Sequence, residues 1–140
     1  MGNSSSTELV TDQGRTIITD TVVSKIAGTA TREIDGVHAL GGGTARVVGA
    51  LRERIPGARV NHAQGVAVEV GELQAAVDIG VVAEYGVAIN DMATAIRRNV
   101  IAAVERMTGL EVVEVNVTAY DLYLPEDDDE AEDEATSRVQ

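Results

Sequence analysis

At 140 residues, with no Cys, Phe or Trp, the chain fits one domain that builds its core from Val, Ile, Leu, Ala and three Met. The missing cysteines exclude disulfides and thiolate sites, no apolar run is long enough to span a membrane, and the first 30 residues lack the basic and apolar regions of a secretory signal. The formal charge of −12 is uneven, with −7 in residues 126–140 and −5 in the rest, so the surface opposes nucleic-acid phosphates and anionic lipid headgroups.

Residues 1–13 read as a polar, flexible leader. Met1, Gly2 and Ser6 satisfy an N-myristoylation pattern, but three loosely specified positions arise readily in a serine-rich stretch, and a flexible polar end is the simpler reading. Gly14–Thr19 (GRTIIT) predicts a short strand, and Thr19 or Asp20 stands where a helix wants its first amides capped. The following stripe of Val22, Ile26, Ala30 and Ile34, every fourth residue, predicts an amphipathic helix that stops near Gly36.

Residues 37–64 carry the weakest periodicity. Gly41, Gly42 and Gly43 break any element, Ala45 to Arg54 has the composition of a short helix, and Pro56-Gly57 ends it, so the segment reads as loop, short helix, loop. Val66, Val68 and Val70 then alternate with Ala67 and Glu69, and after a turn at Gly71-Glu72 the residues Val77, Ile79 and Val81 alternate with Asp78 and Gly80. This predicts an antiparallel hairpin with one buried and one solvated face.

A second helix is predicted from Ile89, Met92, Ala93, Ile96, Val100, Ala103 and Met107, with Gly109 where a left-handed C-terminal residue is wanted. A last strand turns Val113, Val115 and Val117 inward and Glu114, Asn116 and Thr118 outward, and runs to about Tyr123 before Pro125. Residues 125–140 are an acidic tail with nothing to bury, expected to be disordered. The fold class is therefore α+β, a single two-layer domain over 14–124: a small, mainly antiparallel sheet with two main helices on one face, in the order β-α-short α-β-β-α-β.

No catalytic or cofactor apparatus emerges. The glycine run precedes Thr44, but a phosphate-binding Walker loop needs Lys where Gly43 stands. His38 and His62 lie in no metal-binding spacing, and no serine sits in a nucleophile elbow. Glu69, Glu72, Asp78 and Glu84 fall on the outward phase of the hairpin or at its turns, where a solvated strand face accounts for them.

Arginine offers the remaining candidates for binding. Arg46, Arg52, Arg54 and Arg59 form the one basic concentration, suited to a solvated helix face, an acidic partner, nucleic-acid phosphate or the chain's own tail, with no aromatic residue nearby to stack a base. Arg97 and Arg98 lie off the buried stripe of the second helix, and Arg98 shares a face with Glu105; surface charge pairing or a protein contact fits both. One alternative from this composition is a small-molecule or nucleic-acid binding module built on residues 41–59.

Gly14-x-Thr16-Ile17-Ile18, Ile26-Ala27, Glu33-Ile34-Asp35-Gly36-Val37, Tyr85-Gly86, Met107-Thr108-Gly109-Leu110 and Val115-Asn116-Val117 stand in an order and spacing that resembles the alkaline shock protein family. The resemblance runs from Gly14 to about Asp121, and the Gly- and Arg-rich stretch from Ala39 to Ala63 departs from it. It implies a non-enzymatic envelope-stress protein of Gram-positive bacteria that self-associates and reaches the inner face of the cell membrane through a membrane-anchored protein partner. It brings no catalytic, cofactor or metal residues with it.

Overall fold

The computed structural model describes residues 6–41, 59–63 and 65–125, with 59–63 described by backbone alone. The predicted short helix over 45–54 and the acidic tail from 126 onward lie outside these residues. The fold is α+β in two layers. Among the described residues, a five-stranded, mainly antiparallel sheet carries two helices, and a separate two-stranded hairpin stands beside it.

Strand β6 (Gln74–Glu84) organises the sheet. Along one edge it pairs in parallel with β7 (Glu111–Tyr123) over its whole length. A parallel pairing requires a crossover rather than a tight turn, and helix α2 (Ile89–Thr108) supplies it. The opposite edge of β6 is shared by two antiparallel strands placed end to end. Strand β5 (Val66–Val70) covers the first half, and β3 (Val37–Leu40) covers the last three residues of the pairing, 81–83. Strand β4 (Arg59–Ala63) extends the sheet beyond β5.

Three glycines make the seam between β3 and β5. The Gly41 N–H donates to the Gly80 carbonyl at 3.0 Å, and the Gly80 N–H donates to the Gly65 carbonyl at 2.8 Å. Gly65 has φ +86, and a Cβ there would lie 2.4 Å from the Gly41 nitrogen, so close backbone approach and a positive φ both require glycine.

Helix α1 (Asp20–Arg32) and α2 pack on one face of the sheet, against Val66, Val68, Val70, Val77, Ile79 and Val81. From α1 come Val23, Ile26, Ala27 and Ala30; from α2 come Met92, Ile96, Val100 and Val104. Without large aromatic rings, the layers fill by interlocking branched side chains, which suit a pleated surface. Gly109 ends α2 in the left-handed conformation, φ 78, as the sequence predicts.

Several expectations need correction. Ser6–Thr11, inside the predicted leader, forms β1, which pairs antiparallel with β2 (Gly14–Thr19), so β2 belongs to a hairpin and not to the edge of the main sheet. Thr19 is the N-cap of α1 but makes no side-chain capping bond. The segment 37–64 holds strands β3 and β4 where only loop and helix are expected. The partner of β3 lies far along the chain on β6, whereas β4 folds back on the adjacent β5 as a hairpin; in both, pairing overrides weak local pattern.

Glu69 is 0% exposed and Asp78 4%, so the outward face of the hairpin is buried and not solvated at these positions. Met107 is 61% exposed. The buried positions of α2 step by four throughout, through Met92, Ile96, Val100 and Val104 to Thr108, so the contact line drifts around a helix of 3.6 residues per turn and misses Met107. Val113 is 45% exposed because the register runs from Ala75↔Val112 to Ala76↔Glu114, leaving Val113 as the extra residue of a β-bulge. Val112 points inward in its place, and Val115 does so as expected.

Candidate interaction surfaces

The outer face of the sheet, away from the helices, carries a polar network. Asp78 on β6 and Asn116 on β7 are cross-strand partners. The Asn116 amide donates to Asp78 Oδ1 at 2.9 Å and to Glu114 Oε2 at 2.7 Å, bridging two carboxylates with one neutral donor group. With both carboxylates engaged by an amide, the arrangement supports sheet structure better than proton transfer. Among the described residues, no group of three or more His, Asp or Glu side chains is placed to hold a metal ion.

The free edge of β7 is guarded by α2. The Val112 N–H donates to Glu105 Oε2 at 2.9 Å, and Arg97 Nε donates to the Val115 carbonyl at 3.0 Å. These bonds occupy edge groups that would otherwise template pairing with another strand. Asn99, two residues from Arg97 and so on the opposite side of α2, donates to the Ala30 carbonyl at 2.8 Å and to Glu33 Oε1 at 2.9 Å, tying α2 to the C-terminal end of α1. At the other end of the sheet the His38 ring stacks on Tyr123 with centroids 3.8 Å apart, and its Nδ1 lies 3.9 Å from Glu84 Oε2.

Two open hollows border these elements. One of about 420 Å³ is lined by Glu33, Ile34, Asp35, Val87, Asp91 and Met92, where α1 ends and α2 begins. The other, about 450 Å³, is lined by Ile89, Ala119, Tyr120, Asp121, Leu122 and Leu124. Both lie open to solvent, unlike the enclosed pocket of a small-molecule site, although Glu33, Asp35 and Asp91 make the first one acidic.

Exposed apolar side chains are the more conspicuous feature. Leu9, Val10 and Ile17 lie on the β1–β2 hairpin, which the Thr7 hydroxyl attaches to the Glu72 carbonyl. Leu73, Met107 and Val113 gather where α2 ends and β6 and β7 begin, and the Glu111 N–H bonds the Leu73 carbonyl there at 2.9 Å.

Of the arginines singled out in the sequence, Arg46, Arg52 and Arg54 lie outside the described residues, and Arg59 opens β4 opposite Val70. Arg97 is committed to the Val115 carbonyl, while Arg98 is exposed on α2. Glu105, expected to share a face with Arg98, bonds the Val112 N–H. Sequence reasoning missed this edge-guarding role; the eight-residue spacing of Arg97 and Glu105, which puts both toward one side of the helix, is the signal that carries it.

Residues 8–124 match the family of alkaline shock protein 23, described as having cell envelope-related function. A Streptococcus pyogenes serotype M1 protein named "Stress response regulator gls24 homolog" is 36% identical over 110 residues, covering 79% of this chain. The chain spans 59% of the length of that relative. The Bacillus subtilis "Uncharacterized protein YqhY" is 33% identical over 107 residues, which is 76% of either chain. Among solved structures, the MamM CTD is similar over 75% of this chain and 96% of its own length, at 13% identity and a TM-score of 0.40, too distant to bear on function.

Proposed function

The chain belongs to the alkaline shock protein 23 family, of cell envelope-related function, and on that premise we propose a non-enzymatic stress-response protein that acts by association. It binds copies of itself, and it binds a membrane-anchored partner at the cytoplasmic face of the membrane. The name of its streptococcal relatives, stress response regulator, supports the stress role. No helix among the described residues is long and apolar enough to cross a membrane, and in this reading an anchored partner supplies the attachment.

The observation that carries the association reading is the β1–β2 hairpin. It is a two-stranded sheet outside the main one, and Val10 on it is 71% exposed. An isolated two-stranded hairpin is marginal in water and gains stability when its apolar residues are covered. A second copy or a partner provides that cover. Light scattering over a concentration series tests the self-association: mass is expected to grow with concentration. A strict monomer at high concentration, together with no recovery of the protein in the membrane fraction of cells, overturns the reading.

A further inference from the structure

We propose that the end of the molecule where α2 finishes and β6 and β7 begin is a docking surface for a basic amphipathic segment of a partner protein. This deepens the association reading and depends on it. Leu73 is 71% exposed, Met107 61% and Val113 45%. All three sit within a few residues of one joint, the bond from the Glu111 N–H to the Leu73 carbonyl and the left-handed turn at Gly109. The geometry around them is fixed: Thr108 Oγ1 donates to the Val104 carbonyl at 2.6 Å and accepts the Leu110 N–H at 3.1 Å, and Leu110 is buried. The apolar side chains therefore project from a rigid corner and are not the loose end of a frayed helix.

The charge around the corner selects the occupant. Glu72, Glu105 and Glu111 are exposed and stand within two residues in sequence of Leu73, Met107 and Val113, against Arg106 alone among the described basic side chains there. A second copy docked here across a twofold axis would set these acids against their own counterparts, in a chain that already carries −12. Anionic lipid is repelled by the same rim. A segment that alternates apolar anchors with Lys or Arg satisfies both parts of the surface: its apolar residues cover Leu73, Met107 and Val113 while its cations meet the acids. Membrane proteins concentrate Lys and Arg in short cytoplasmic flanks next to their spans, which makes such a flank the natural source.

The test is an NMR titration of the full chain with a helical Leu/Lys amphipathic peptide, beside a Leu/Glu peptide and phosphatidylglycerol vesicles. Binding of the Leu/Lys peptide should weaken with added salt, shift resonances of Leu73, Met107 and Val113, and fall about tenfold in a Leu73→Lys/Met107→Lys variant. Because both side chains are exposed, the variant should keep the wild-type spectrum elsewhere; Met107→Gln serves if it does not. Shifts centred on another surface, affinity unchanged in the variants, or equal binding of the Leu/Glu peptide or the vesicles overturns the proposal. A pull-down from native membranes separates the two readings. If the variant retains a membrane protein that wild type recovers, the surface is wrong and the association reading stands. If wild type recovers none while the peptide binds at this corner, the surface stands and the membrane-anchored partner does not.

Discussion

The two faces of the five-stranded sheet present the same alternation with different chemistry. Toward the helices, Val66, Val68, Val70, Val77 and Ile79 interlock with α1 and α2 in an apolar layer. On the opposite face the intervening residues include Ala67, Glu69, Ala76 and Asp78, buried as completely as the valines. The first face needs only shape complementarity. The second needs polar satisfaction, seen where the Asn116 amide bridges Asp78 and Glu114. A period of two thus identifies which residues share a face but leaves open whether that face is wet.

The largest expected effect is on the helix-covered face. Ile79→Ala deletes a fully buried side chain at the sheet centre and should cost about 3 kcal/mol in urea unfolding; a loss as small as that of a surface substitution would break the contrast. The seam between β3 and β5 comes next. Gly65→Ala forces a Cβ to within 2.4 Å of the Gly41 backbone at a positive φ and should cost about 2–3 kcal/mol, with amide shifts at Gly41 and Gly80.

On the outer face, Asn116→Ala removes the donor shared by two carboxylates and should cost about 1–2 kcal/mol, an effect read from the denaturation midpoint. If Asn116→Ala equals Ile79→Ala, the two faces are energetically alike. Gly109→Ala meets open space, so only its φ of 78 opposes the substitution, and urea melts should show a loss of about 1 kcal/mol. Smallest of all, Val10→Ser on the hairpin should leave monomer stability within about 0.5 kcal/mol while reducing concentration-dependent light scattering.

Elements with strong local periodicity were legible from the sequence alone. The α1 and α2 stripes, the valine alternation of β5 and β6, and the glycine stop at Gly109 all lead to the observed elements. The strands that escaped, β1, β3 and β4, are short; β3 takes its register from β6 far along the chain, while β1 and β4 pair with the strand next to them. Met107 and Val113 were misplaced because the drift of a helix contact line and a single bulge residue each change which side chain faces the core without altering composition. Of the candidate binding residues, Arg97 had a legible position off the stripe but not a legible partner, since the Val115 carbonyl it bonds lies on a strand edge that exists only after β6 and β7 pair.

That pairing has a kinetic consequence. Strands β5 and β6, helix α2 and strand β7 follow one another along the chain, and each packs on or pairs with its neighbours in that order. Strand β3 joins β6 across 41–46 residues, somewhat more than the 37–39 between β6 and β7, and the hairpin closes the longest loop, through Thr7 and Glu72, 65 residues apart. Since loop closure is paid before long-range contacts reward it, the chain should form its β5–β7 half in the folding transition state and dock the hairpin last. Conservative truncations at Val68 and Ile96 should then slow folding, whereas truncation at Leu40 should mainly speed unfolding. Amides of the hairpin should exchange with solvent well before those of β6, marking it as the part of the molecule that opens at least cost.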